Sequence, residues 1–505
     1  MKRPLFAFAR SSLLIAVLVA LSLLAPTAQA ERTLKATILH MNDVHGHYAP
    51  YREGDAEHYV GGYGKAATLI EKIRTENRHQ GRETYVLMAG DLLTGTPLDA
   101  ATKGTLGVKL MNSMGFTAMV VGNHEFDLGW SQLFNTLAPM MKFPLLSANM
   151  KTSACPPPPI KGAIELPTTA DTKVLVFGLT TKDAKTKTKA SNVEGTEFLD
   201  EEGTAAAILK KYSDEDFVVA LTHIGIDEDK KLAQSSPKID VIVGGHSHTR
   251  LTSPYRGNPN EAVIVQAGAC ARYLGRLDVE VVNGRVTAYS GELIPLDGNI
   301  PEDPKIAQMI DQAKAALPDT YGKVIGRTEI SLVGGCRTDV PGAKARLDKL
   351  VTYLIAESAG TPALINSGTV RASLNKGEIT VADVETALPF KGSVPVTVQL
   401  TGTELAQVLQ MSVDQGEYGA RLQTIGITYG VENGKVTVDR VGDVAFDPDK
   451  TYRVTINDFL ATGGDGYVIF KDKPAEKGPK LVKDLLIDFI KTNSVITAEL
   501  INGIR

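Results

Sequence analysis

The chain has 505 residues, 43% of them hydrophobic and 22% charged, with a formal net charge of −4. That length holds at least two domains with cores of their own. The near-balanced charge excludes an extended groove for a nucleic-acid polymer, which would be basic, and no block of like charge forms an interaction tail.

The first thirty residues read as a leader rather than as fold. Lys2, Arg3 and Arg10 make a basic start, residues 12–25 an apolar stretch, and Ala28-Gln29-Ala30 an A-x-A site before Glu31. This is the pattern of a secretory signal peptide over residues 1–30, removed on export. The other reading, an uncleaved anchor, has an apolar stretch short for a bilayer. No later segment is long and apolar enough to span, so the mature chain is expected to be soluble and periplasmic or secreted. Cys155, Cys270 and Cys336 are odd in number, so an oxidising compartment leaves at least one unpaired. None sits in a CxxC arrangement, which argues against a zinc–thiolate site.

From residue 31 to about 327, apolar runs alternate with helical stretches such as 64–78. Five of the runs break off at residues that bind metals. ATILHMN ends at Asp43 and His45, YVLMAG at Asp91, AMVVG at Asn123 and His124, FVVALT at His223, and DVIVGG at His246 and His248. Short runs rich in Val, Ile and Leu, closed by Gly or polar residues, predict strands buried on both faces. Ligand crevices form at the carboxyl ends of such strands. One ion rarely needs so many ligands; two ions sharing a carboxylate do, as in hydrolases that clamp the attacking and leaving oxygens of a phosphoryl transfer. All nine histidines lie at or before His248, which confines this chemistry to the first half.

Taken singly, each element has an ordinary explanation. Asp43-Val44-His45 fits a surface turn, and Gly90-Asp91 is common turn chemistry. Asn123 with His124 is more specific: a neutral oxygen ligand beside a proton donor. Gly244-Gly245-His246-Ser247-His248 puts two histidines on one side of an extended segment, and its glycines permit close approach. Carboxylate with imidazole suits Zn²⁺, Mn²⁺, Co²⁺ or Fe²⁺ rather than Ca²⁺. All five in order, each directly after a buried strand, outweigh the separate explanations. The alternation predicts two sheets flanked by helices.

A helix near residues 304–317 follows, closed by Pro318-Asp319. We place a helical linker at 304–327 between a dinuclear metal domain (31–303) and a compact α+β domain (328–505). In the latter, VPVTVQL alternates as a strand, Thr401 with Glu404 makes a capping box for a helix through Met411, and residues 451–456 form a strand before the turn ATGGDG. NSGTVR (residues 366–371) presents a Gly turn followed by a guanidinium suited to bidentate phosphate capture. It equally fits a surface arginine. Phe390 and Phe459 could stack on a base, although core packing is the usual fate of Phe.

The ordered set D-x-H, G-D, G-N-H-E, H and G-H-x-H resembles the calcineurin-like metallophosphoesterase superfamily. The phrases ILHMNDVHG, GDLLTGTP, VVGNHEFDLG, THIG and VIVGGHSHT resemble, more closely, the bacterial periplasmic 5′-nucleotidase/UDP-sugar hydrolase family. So do NSGTVR, ITVADVETALPF and NDFLATGGDGY in the second half. The resemblance implies an α/β fold, with an N-terminal four-layer α/β/β/α metallophosphoesterase sandwich and a C-terminal α+β nucleotide-binding domain. It implies two divalent ions (Zn²⁺, Mn²⁺ or Co²⁺). Asp43, His45 and His248 would hold the first, Asn123, His223 and His246 the second, with Asp91 between them. His124 and Asp127 would form the proton-donating pair. Asn366, Arg371, Phe390, Phe459 and Asp465 would bind substrate, Asp465 through ribose hydroxyls. His47 has no matching role and reads as a solvated loop residue.

The chain departs from the family around CRTDVPGAKARLDKLVTYLIAES, where only LIAE matches E-x-N-x-G-N-L-I-A-D; Arg337 or Arg346 would replace the missing phosphate contact. The expected reaction is hydrolysis of nucleoside 5′-monophosphates by metal-activated water, with UDP-sugars or 2′,3′-cyclic nucleotides as further substrates. The expected partner is the small nucleotide alone, with no protein partner. A sulfur-ester hydrolase of the thiosulfohydrolase kind and a non-catalytic nucleotide-binding surface protein are the alternatives.

Overall fold

The structure is a computed structural model describing residues 32–52, 58–153, 157–169, 172–335, 345–416 and 420–504. The expected leader, Cys155, Cys336 and Arg337 lie outside the described residues. Among the described residues no helix is long and apolar enough to cross a membrane.

Two sheets face each other in the N-terminal half. The first runs Arg285–Pro295, Tyr273–Val282, Thr33–Met41, Glu83–Met88, Ala118–Val120, Leu145–Leu146, Ile160–Lys161. The second runs Val263–Val265, Val241–Val243, Phe217–His223, Val174–Thr180, Ala163–Leu166. All five predicted runs are strands. Thr33–Met41, Glu83–Met88 and Ala118–Val120 are parallel neighbours in the first sheet, and Phe217–His223 and Val241–Val243 in the second.

Side chains alternate across each strand with period two, and that period builds the layers. Ile38, Leu87 and Val120 of the first sheet meet Val176, Val219 and Val243 of the second in a core between the sheets. Their neighbours Leu39, Val86 and Met119 point the other way, onto helices Tyr63–His79, Thr105–Met114 and Pro304–Ala315. Across the molecule, Leu175, Ala220 and Ile242 pack under helices Glu201–Lys211 and Ile226–Ser235. The order helix, sheet, sheet, helix is the four-layer sandwich expected from the resemblance. Each fully buried Val, Leu or Ile contributes about 1.5–3 kcal/mol to holding it.

Helix Pro304–Ala315 begins where the sequence stops it sliding further. The Asp303 carboxylate accepts from the amides of Lys305 (3.0 Å) and Ile306 (2.9 Å), and Pro304 occupies the first helical position, where its missing N–H costs nothing. Ile306 and Ile310 are buried in the N-terminal outer core.

The C-terminal half has a five-stranded sheet, Leu422–Ile425, Ala363–Asn366, Thr451–Asn457, Pro395–Thr401, Ala475–Lys477. Helix Gly402–Asp414 covers one face through Val408 and Leu409. Helices Leu347–Ala359 and Val482–Asn493 belong to the cluster on the other, with Ile355, Leu486 and Ile365. The capping box is present: the Thr401 hydroxyl accepts from the Glu404 amide at 3.2 Å, and Glu404 accepts from the Thr401 amide at 2.9 Å. The helix runs three residues past Met411.

Candidate metal centre and substrate cavity

The carboxyl ends of the five strands meet. Three groups of side chains present ligand atoms within 4.8 Å of one another: Asp43, His45 and His248; His45, Asp91 and His124; and Asp91, His223 and His246. Asp91 stands in two of them, as a shared carboxylate must.

The loops that carry these residues are laced together by backbone. Asp43 and His45 donate their amides to the carbonyls of Gly90 (3.0 Å) and Asp91 (3.1 Å). Gly122 lies so close to the Asp91 carboxylate that a Cβ there would collide with it, and Gly90 has φ +82 with the His223 ring against it. Any other residue at either place would push a candidate ligand away.

Hydrogen bonds fix how the rings face. His45 Nδ1 donates to the Leu93 carbonyl at 3.1 Å and His223 Nδ1 to the Ala89 carbonyl at 2.7 Å. Each ring therefore turns Nε2 and its lone pair toward the centre. His45 Nε2 lies 3.1 Å from His248 Nε2, and His223 Nε2 lies 3.2 Å from Asp91 Oδ2. Burial first, then neighbouring His248, holds the His45 imidazole well below its ordinary pKa, so it stays neutral. Burial keeps His246 low as well. Two buried acceptors face the centre without hydrogen-bond partners, Asn123 Oδ1 and His223 Nε2. Orphaned acceptors of this kind are costly to bury, and a divalent cation held here would satisfy both. The donor set therefore fits two ions of the N/O-binding transition series.

Beside this centre, His124 donates Nδ1–H to Asp127 at 2.6 Å, while its backbone amide donates to Asp91 at 2.9 Å. Burial alone would lower the imidazole pKa; the Asp127 and Asp91 charges outweigh it and raise it.

Residues that sequence reasoning did not single out hold the centre from behind. Glu125 is buried and accepts four backbone amides, from Gly122 (2.7 Å), Asp91 (2.9 Å), Leu92 (2.7 Å) and Leu93 (3.4 Å). Burial and the Asp91 charge push its carboxyl up to about 7. Asn42 donates to Asp43 at 2.7 Å and to the Gly268 carbonyl at 2.6 Å. The signal for both was adjacency: each polar residue follows a buried strand beside a candidate ligand, with no reason of its own to be buried. His47 overturns its expectation. It is 6% exposed, donates Nδ1–H to the His45 carbonyl at 3.0 Å, and meets the Tyr51 ring edge-on at 5.0 Å. It sits at the edge of a second cavity that Tyr51, Arg52 and Arg250 also line.

The C-terminal half closes over the same place. A cavity of about 530 Å³ is lined by Asp91, Asn123, His124, His246 and His248 from one half and by Arg371, Phe390, Phe459 and Asp465 from the other. Arg371 Nη2 lies 2.8 Å from His124 Nε2, and its guanidinium sits 5.3 Å over the Phe390 ring. Phe390 and Phe459 are half-buried on the cavity wall rather than in the core. Asn366 is turned inward: it donates to Asp465 at 2.8 Å and accepts from Thr369 at 2.7 Å and Asn457 at 2.9 Å. Arg346 lines the cavity and is paired with Asp348, Nε to Oδ1 at 3.0 Å.

A calcineurin-like phosphoesterase family model matches residues 36–250, and a 5′-nucleotidase C-terminal domain model matches residues 324–472. The chain is 30% identical to a 5′-nucleotidase of Vibrio vulnificus over 92% of each protein. It is 32% identical to the trifunctional nucleotide phosphoesterase protein YfkN of Bacillus subtilis over 86% of this chain, but spans only 32% of that longer protein. Its fold superposes on the crystal structure of a 5′-nucleotidase precursor from Thermus thermophilus with a TM-score of 0.81 at 29% identity, covering 92% of this chain and 97% of that one.

Proposed function

Because the chain belongs to the 5′-nucleotidase family of phosphoester hydrolases, we propose that it releases phosphate from nucleoside 5′-monophosphates outside the cytoplasm. The observation that carries the reading is the shared cavity in which the candidate metal residues, a guanidinium, two aromatic walls and the Asp465 carboxylate all face one another. A mononucleotide needs all four: charge neutralisation at the phosphate, paired donors to its oxygens, a stacking face for the base and an acceptor for ribose hydroxyls. The leader pattern supports export.

In this reading Asp43, His45, His248 and Asp91 would hold one ion, and Asp91, Asn123, His223 and His246 the other. Such ions, Zn²⁺, Mn²⁺ or Co²⁺, supply a nucleophile at neutral pH and neutralise phosphoryl charge. Asp127 accepts from His124 Nδ1–H and, with Asp91, raises the imidazole pKa, so that Nε2 can carry a second proton to the oxygen that departs. Arg371 binds phosphoryl oxygens. Phe390 and Phe459 flank the base, and Asp465, already anchored by Asn366, keeps lone pairs for the ribose. Arg346 is the candidate for the diverged phosphate contact.

The test is phosphate release from AMP by protein stripped of metal and refilled with Mn²⁺, Zn²⁺ or Co²⁺. Phe459→Ala should raise KM for AMP about tenfold, the value of one stacked base, and leave 4-nitrophenyl phosphate unaffected. Hydrolysis of the aryl ester with AMP untouched under every metal would sink the nucleotide assignment. UDP-sugars and 2′,3′-cyclic nucleotides belong in the same assay.

A further inference from the structure

The segment after the short helix Ala184–Lys187 touches both halves of the molecule within three residues. Toward the N-terminal half, the buried Thr188 hydroxyl donates to Asp127 Oδ1 at 2.8 Å, the oxygen opposite the one that holds His124. Asn192 donates to the Asp127 carbonyl at 3.1 Å, and the Lys187 carbonyl accepts from the Asn123 amide group at 3.4 Å. Toward the C-terminal half, the Lys187 ammonium lies 3.2 Å from Asp465, and the Lys189 ammonium 3.4 Å from Asp458. Those two acids bracket Phe459.

The two pairs differ in weight. Lys189 is 52% exposed and its ion pair is screened, whereas Lys187 at 28% and Asp465 at 9% are partly withdrawn from water. Asp465 is also fixed by Asn366 from within its own half. Lys187 therefore docks on a rigid point, and Thr188, one peptide away, inherits that position. A carboxylate bound only to an imidazole can rotate about its Cβ–Cγ bond; a second donor on its other oxygen sets its plane.

We propose that Lys187 and Thr188 are a positioning pair: docking of Lys187 on Asp465 sets the Thr188 hydroxyl, which holds Asp127 in the plane that aligns His124. Seating of the C-terminal half and alignment of the Asp127–His124 pair are then one event. The proposal rests on the phosphoesterase reading only for the part that pair takes in turnover.

Kinetic constants for AMP and 4-nitrophenyl phosphate are measured on the metal-loaded parent, Lys187→Met, Thr188→Val, Thr188→Ser and the Lys187→Met/Thr188→Val double variant. Thr188→Val lowers kcat about tenfold on both substrates, Thr188→Ser recovers most of it, and Lys187→Met lowers kcat rather than only raising KM. The double variant is no slower than the slower single one, as two members of one device require. Losses that multiply, or a Lys187 effect confined to KM, overturn the proposal. Hydrogen exchange of the metal-free protein reads the same device without turnover: Lys187→Met speeds exchange across residues 123–127, and unchanged protection there refutes the coupling. A parent that cleaves the aryl ester but not AMP removes the nucleotidase reading alone, because the cycle is still read on the aryl ester.

Discussion

The Arg371 guanidinium lies 2.8 Å from Nε2 of His124, whose Nδ1 is 2.6 Å from Asp127. A guanidinium has donors and no acceptor, so in this contact His124 accepts at Nε2 and keeps its proton on Nδ1. Arg371 thus occupies the nitrogen that must be protonated before His124 can donate to a leaving oxygen. A phosphoryl group entering between them draws the guanidinium onto its own oxygens and frees Nε2, so substrate binding and release of the imidazole coincide.

Arg371→Met should therefore lower kcat/KM for AMP about 10²–10³-fold, as expected for truncating one partner of a charged pair. Arg371→Lys should recover only part of this, because one ammonium cannot make the paired bonds of the planar fork. Steady-state kinetics decide it; an Arg371→Met enzyme at parental kcat/KM would remove this arginine from phosphate recognition.

Chelation should abolish activity and lower the Tm by about 5–10 °C, since two ions bound only by the folded chain each add about 2.7 kcal/mol at a hundredfold excess over Kd. Refilling with Mn²⁺ restores both. Asp91 belongs to two of the ligand groups, so metal analysis of Asp91→Ala should find less than one tightly held equivalent. Two retained equivalents would count against a shared carboxylate.

Glu125→Gln should loosen the centre without touching a ligand. Glu125 Oε2 accepts from Asp91 and Gly122 and Oε1 from Leu92 and Leu93, so an amide nitrogen on either side opposes N–H donors. The expected cost is about 1–3 kcal/mol of stability, with reduced metal content. Denaturant unfolding together with metal analysis checks it, and parental values in both would leave Glu125 without a bracing role.

A pH-dependent prediction falls on Asp240, away from the metal centre. Burial, only partly offset by the Val218 amide it accepts at 2.8 Å and by Arg256, pushes its carboxyl from 3.8 up to about 7. A raised carboxyl favours folding while protonated. That contribution is complete below pH 3.8 and is lost as pH rises through about 7. Asp240→Asn should therefore gain stability over the parent at about pH 8, by up to about 4 kcal/mol, and little or none at about pH 4. Equal differences at the two pH values would refute the shift.

Much of the sandwich was legible because its strands state themselves twice, in apolar runs such as FVVALT and in the candidate ligand that ends each run. The capping box at Thr401 and Glu404 was equally local. What escaped was whatever depends on two distant segments meeting. Nothing near Lys187 names Asp465, 278 positions away. Asn366 reads as a phosphate-loop residue by its neighbours, yet its hydrogen bonds go to Asp465, Thr369 and Asn457. Strand period is a property of neighbours; a polar network belongs to the assembled fold.

Asp43, His45, Asp91, His246 and His248 all have positive φ, between +48 and +76. A side chain in that region costs about 1–2 kcal/mol that glycine would not incur. Ions held by these side chains would offset that cost, so the metal-free chain carries the strain without its compensation.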